Sequence, residues 1–239
     1  MSTYVLVHGA MHGAWCWERV IPRLRSSGHA VIAPDLPGHG ADRTSRAAVT
    51  LSHYVARVGD LLKAATDPVV LVGHSMGGVV VSAALDAWPA KVRHLVYLAA
   101  VVPKDGESLN EASGRAARPN AAFESGMEPA DADGSHRITA AAARATFFSD
   151  LTEADAAAAV ERLTPQPDAP LSEPVRLTSG ALGRVPRTYI FCERDQALLP
   201  AQQQHAIDRS PGIRVLRLDS GHSPFLSQPD RLAKLLLSV

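Results

Sequence analysis

The chain has 239 residues, 46% of them hydrophobic, and its 24 lysines and arginines balance 24 aspartates and glutamates for a formal net charge of zero. That length suits one large domain with a substantial core, and the absence of a basic run excludes a surface built to track a phosphate backbone, so no nucleic-acid partner is expected. Two cysteines, Cys16 and Cys192, are too few for a disulfide framework and lack zinc-ligand spacing, so both read as small buried hydrophobes.

The opening MSTYVLVHGAMHGAWCW lacks the basic stretch and apolar segment of a secretory signal, and no later run reaches the ~20 apolar residues that span a bilayer. A cytoplasmic protein with no membrane partner is the expectation. Short β-branched runs follow in order: TYVLVH, AVIAPD, PVVLVG, RHLVYLA, RTYIFC and IRVLRL. Each is apolar on both faces, as the strands of a covered parallel sheet are. Between them the pattern predicts helices over residues 15–26, 51–64, 78–88, 201–208 and 229–237. Alternation of this kind predicts an α/β fold, a doubly wound, mostly parallel sheet of about six strands flanked by helices in a single domain over 1–239.

The alternation breaks between Val102 and Pro186. Residues 103–135 are polar and turn-rich, while RITAAAARATFFSD and LTEADAAAAVERLTPQP read as two helices, the second with Thr152 and Asp155 at capping-box spacing and a stop before Pro165. An insertion over about 103–185, at the carboxyl edge of a parallel sheet, is placed to act as a helical lid over a ligand.

Gly73-His74-Ser75-Met76-Gly77 lies where a strand-like run gives way to a helix-like one. Chance supplies a G-x-S-x-G match in roughly one chain of this length in fifteen. Position carries the signal, because a strand-to-helix turn with flanking glycines presents a serine in a strained backbone conformation at a helix start. The amide of Met76 then points at developing negative charge. A helix-capping serine is the plain alternative.

Serine is a weak nucleophile at its ordinary pKa, so this reading needs a base and an orienting acid after later strands. Asp195 follows RTYIF, and His222 follows IRVLRL. Asp105, after the fourth strand, is the rival acid; Glu193 stands too close to its strand and Asp219 reads as a surface turn residue. The second oxyanion amide is assigned to Ala10, in the loop after the first strand. His8 is expected to brace that loop and His12 to face the pocket, and the pair lacks a third ligand at metal-binding spacing, so neither metal nor cofactor is expected. His12, Trp15, Phe147, Phe148 and Phe225 are expected to line an apolar substrate pocket.

The segments VLVHGAMHGAWCW, GHAVIAPDLPGHG, LVGHSMGG, HLVYLAA, TYIFCERDQALLP and DSGHSPFLSQP together resemble the α/β-hydrolase superfamily. More narrowly they resemble the branch of plant methylesterases, hydroxynitrile lyases and bacterial carboxylesterases. The segment FFSDLTEADAAAAVERLTPQP is similar to that of bacterial esterases that include pyrethroid hydrolases. The resemblance implies a nucleophile at Ser75, an acid at Asp195, a base at His222 and oxyanion amides at Ala10 and Met76. Hydroxynitrile lyases carry threonine and lysine where this chain has Ala10 and Ser223, which favours hydrolysis over cyanide release. The expectation is a serine carboxylic-ester hydrolase acting on small to medium hydrophobic esters. A carbon–carbon bond hydrolase or lyase on the same triad, or a noncatalytic small-ligand receptor, remains the alternative, and self-association into a homodimer is left open.

Overall fold

The structure is a computed structural model that describes residues 1–114 and 120–239. Six strands form one sheet: β1 (Thr3–Val7), β2 (Ala30–Ile32), β3 (Val69–His74), β4 (Val92–Leu98), β8 (Arg187–Cys192) and β9 (Arg214–Leu218). Their order is β2-β1-β3-β4-β8-β9 and every pairing is parallel. The sequence reversal between β2-β1 and β3 puts a topological switch beside β1 and β3, whose carboxyl ends open onto one crevice.

Alternation along the strands divides the core in two. Val5, Val7, Val69, Leu71, Leu95 and Tyr97 pack under the helices Leu51–Ala64 and Gly77–Ala87. Tyr4, Leu6, Val70, Val72, Val96 and Leu98 face the helices Ile21–Ser26 and Pro229–Leu237. Both faces of the central strands are therefore covered, which is why apolar residues point to both sides of them. The edge strands differ: β2 and β9 each expose part of their length, so the apolar-on-both-faces reading holds only for the interior of the sheet.

The helices at 51–64 and 229–237 keep their expected bounds. The one expected over 15–26 is broken into a 3-10 turn, Ala14–Trp17, and a short helix with Pro22 in its first turn. Proline suits that position because its missing N–H would be unpaired there in any case.

Between β4 and β8 the described residues form a cap of short helices and a small antiparallel sheet. Helices Ala140–Thr146 and Glu153–Val160 match the alanine-rich runs, and Thr152 Oγ accepts the Asp155 amide at 3.2 Å as its spacing predicts. The sheet, β5 (Met127–Asp131), β6 (Ser135–Ile138) and β7 (Gln166–Pro167), adds strands where the sequence showed only a turn-rich stretch and the ends of the two helical runs. Its strands are too short and too polar to show a period-two pattern. The polar reading of 103–135 falls partly on residues 115–119, which lie outside the described residues. Among the described residues, no helix is long and apolar enough to cross a membrane.

Candidate active site

β3 ends at His74 and the next helix begins at Gly77, leaving Ser75 on the turn with φ of 54°. From Val69 to Leu85 every residue is buried except Ser75. The flanking glycines make the turn possible: a Cβ at Gly73 would lie 2.6 Å from the Gly77 carbonyl oxygen, and one at Gly77 would lie 2.8 Å from that of His8. The turn is pinned from the next strand, since the Ser75 amide donates to the Leu98 carbonyl (3.2 Å) and the Ser75 carbonyl accepts from Val101 (3.1 Å).

His222 and Asp195 meet across the ends of β8 and β9. His222 Nδ1 lies 2.7 Å from Asp195 Oδ2, with both side chains buried. Asp195 Oδ1 accepts the amides of Ala197 (2.7 Å) and Leu198 (2.9 Å), and Gln203 Nε2 approaches Oδ2 at 3.3 Å. With backbone amides on Oδ1 and Gln203 on Oδ2, the carboxyl group presents an acceptor to His222, so the imidazole donates through Nδ1 and leaves Nε2 free of that proton. The His222 ring is sandwiched by Phe147, with centroids 5.6 Å apart, and His74, 4.5 Å away. His74 Nε2 donates to the His222 carbonyl at 2.9 Å, and burial beside His222 and His12 keeps His74 neutral, its pKa well below the usual histidine value.

The rival carboxylates lie elsewhere. Asp105 is exposed and accepts the Leu177 amide at 2.7 Å, closing the base of the cap. Asp219 pairs with Arg194 and Glu193 faces Arg217, both at the surface.

The loop after β1 supplies the other wall. His8 Nε2 accepts the Leu36 amide at 3.0 Å and its Nδ1 meets the Gly9 carbonyl at 2.8 Å, so both nitrogens brace the loop. Met11 takes φ of 63°. Neither the Ala10 nor the Met76 amide has an acceptor among the described residues, and both residues line the same cavity as Ser75. Two unpaired amides beside a hydroxyl are what an oxyanion needs.

That cavity holds about 270 Å³ and is walled chiefly by Met11, Met76, Leu109, Phe123, Phe147 and Leu198. Phe147 lines it as expected, but His12, Trp15, Phe148 and Phe225 do not. Phe148 and Phe225 pack edge-on around the buried His12 ring behind the cavity wall. Trp15 stacks on the far side of that ring and is covered by the Arg162 guanidinium at 4.7 Å. Burial holds His12 neutral, with its pKa pushed down to about 3. Aromatic composition gave no sign of which ring faces the cavity and which supports it.

Three further side chains support the site without an advance signal. Gln203, in the helix Pro200–Asp208, is fully buried; it accepts the Cys192 amide (3.0 Å) and donates to the carbonyls of Cys192 (3.0 Å) and Leu198 (2.9 Å), folding the Asp195 loop. Asp150, at the end of the cap's first helical run, accepts the Gly221 amide (2.7 Å) and the Ser227 hydroxyl (2.9 Å), tying the cap to the His222 loop. Gln166 reaches from β7 to the loop after β1.

Comparison with known proteins gives concordant results. A model of the alpha/beta hydrolase family matches residues 4–235. The chain is 33% identical to the carbendazim hydrolyzing esterase of Nocardioides sp. over 244 residues, covering 100% of both chains. It is 32% identical to putative methylesterase 11, chloroplastic, of Arabidopsis thaliana, where it covers 99% of itself and spans only 63% of that relative. The crystal structure of a pyrethroid hydrolase from Sphingobium faniae JZ-2 superposes with a TM-score of 0.83 at 28% identity, covering 99% of this chain and 96% of that one.

Proposed function

The chain belongs to the alpha/beta hydrolase family as an esterase-type hydrolase, and from that premise we propose that it cleaves small hydrophobic carboxylic esters through an acyl-enzyme on Ser75. The observations that carry this reading are the buried His222–Asp195 pair at 2.7 Å and a partly exposed serine on a strained turn. Asp195 fixes the His222 tautomer, and His222 Nε2 takes the proton from Ser75 as Oγ attacks the ester carbonyl. The amides of Ala10 and Met76 donate to the oxyanion. Collapse expels the alcohol, which takes the proton from His222. A water deprotonated by the same nitrogen then releases the acid.

The cavity supports the substrate class. At about 270 Å³ it sits below the ~300–1,000 Å³ of drug-sized sites, and among the described residues Glu124 is the one ionisable residue on its wall. With no cation among the described residues of the wall to hold a phosphate or a second carboxylate, an uncharged ester is favoured. The reading is tested with a fluorophosphonate probe and a panel of p-nitrophenyl esters. Labelling should map to Ser75, and Ser75→Ala should lower turnover on the order of 10⁶-fold. Near-normal hydrolysis by that variant would refute the assignment.

A further inference from the structure

We propose that Gln166, carried on the cap, is a positioning residue that holds the Ala10 amide in place to receive the oxyanion. This rests on the reading of Ala10 and Met76 as oxyanion donors.

The loop carrying Ala10 is strained at the next residue. Met11, a side-chain-bearing residue at φ of 63°, occupies a strained conformation that persists only where neighbours enforce it. His12 Nδ1, inside the loop, meets the Ala10 carbonyl at 2.8 Å, and the other enforcing groups come from the cap. The Met11 amide donates to Gln166 Oε1 at 3.4 Å, and its carbonyl accepts from the Thr164 amide at 2.9 Å and from Thr164 Oγ at 3.4 Å. Both peptide groups flanking the Met11 Cα are thus bound to the cap.

These contacts close a ring of side chains. Gln166 Nε2 donates to the Tyr54 hydroxyl (3.2 Å), which lies 2.9 Å from His39 Nε2; His39 Nδ1 lies 3.1 Å from Thr164 Oγ, which returns to the Met11 carbonyl. One proton arrangement satisfies every link: Tyr54 donates to Nε2, and a neutral His39 protonated on Nδ1 donates to Thr164. Tyr54, His39 and Gln166 are all fully buried, and burial holds His39 neutral. Directionality also fixes the Gln166 amide. Its oxygen must face the Met11 N–H, and its nitrogen must face Tyr54 and the Pro167 carbonyl at 2.8 Å.

Gln166 lines the cavity, and its position alone would suit a substrate-binding role. Its donors argue otherwise. Both N–H groups are spent on Tyr54 and Pro167, so the side chain has no hydrogen left for an ester oxygen. What it can do is keep Met11, and with it the adjoining Ala10 amide, from relaxing out of the left-handed conformation. A donor displaced by a fraction of an ångström loses transition-state stabilisation and leaves ground-state binding nearly intact.

The test compares wild type, Gln166→Met and Tyr54→Phe with p-nitrophenyl butyrate as substrate and phenylboronic acid as a tetrahedral adduct-forming inhibitor. Gln166→Met should lower kcat about tenfold or more, leave KM within about twofold, and weaken the boronic acid by a factor close to the loss in kcat. Tyr54→Phe releases the Gln166 nitrogen without touching Met11 and should show the same split more weakly; it decides the matter if Gln166→Met does not fold. Wild-type kcat and boronic-acid affinity in the folded variants, with an active parent enzyme, would overturn the positioning role alone. A rise in KM at constant kcat would do so too, making Gln166 a substrate contact. A parent enzyme without Ser75-dependent hydrolysis would overturn the underlying reading of the site, and the positioning role with it.

Discussion

Asp195 and Asp105 both accept backbone amides in loops that follow strands, yet substitution should affect them differently. Asp195 is fully buried with four donors around its two oxygens, one of them His222 Nδ1. Asp195→Asn would turn an N–H₂ group toward either His222 or the amides of Ala197 and Leu198, disfavouring the tautomer that leaves Nε2 free. It should lower kcat on the order of 10⁴-fold with the fold retained. Asp105 is exposed and loses one bond to Leu177, so Asp105→Asn should change stability by about 1 kcal/mol or less and leave kcat within about twofold. Ester hydrolysis by the two purified variants decides between the carboxylates, and greater damage from Asp105→Asn would move the acid to the fourth strand. Ser75, Asp195 and His222 were legible as candidates because each follows a strand, in the chain order expected of this fold. Gln203 and Gln166 were not, because a glutamine in a helix or at a strand end reads as surface until burial and partners are known.

The cap was only half legible, and the reason lies in how its elements are built. Helices Ala140–Thr146 and Glu153–Val160 announce themselves through alanine propensity and a threonine cap. The sheet beside them is made of strands of two to five residues, including Pro129 and Pro167, and such strands carry no usable periodicity. Nor does the sequence show that the cap is bonded to the catalytic loops. Asp150 is the clearest link, since its Oδ2 accepts both the Gly221 amide and the Ser227 hydroxyl beside His222, while its Oδ1 is buried without a partner among the described residues. Asp150→Ala would strand the Gly221 N–H and free the His222 loop. The variant should lose about 2 kcal/mol of stability by urea denaturation and about tenfold in kcat, while Asp150→Asn, which keeps one acceptor oxygen, should lose less of both. Equal kcat in wild type and Asp150→Ala would show that the cap does not steady the histidine loop.

At the scale of the whole molecule, the six parallel strands follow from six short apolar runs, and their parallel pairing follows from the helical connections between them. The sequence does not announce that four histidines besides His222 end up inside. His8 and His12 are held by burial at pKa values of about 4 and about 3, and burial keeps His39 and His74 well below the usual histidine value. All four are neutral in the native protein and titrate near 6.5 once unfolded. Below that pH the unfolded chain binds protons that the folded one refuses, so stability falls as pH falls; above it these groups contribute no pH dependence. Each costs about 1.4 kcal/mol per pH unit below 6.5, and together they cost about 5 kcal/mol by pH 5.5, a large share of the ~5–15 kcal/mol of a typical domain. Urea unfolding at pH 7.5, 6.5 and 5.5 should therefore show a steep drop across the lower interval, with uptake of more than two protons on unfolding at pH 5.5. His12→Phe tests the origin of the slope, because phenylalanine suits the ring cluster of Trp15, Phe148 and Phe225 and has no titrating nitrogen. It should flatten the pH dependence by about one proton. A wild-type slope below one proton would mean that these histidines accept charge in the folded state, and a His12→Phe slope equal to wild type would remove His12 from the buried neutral set.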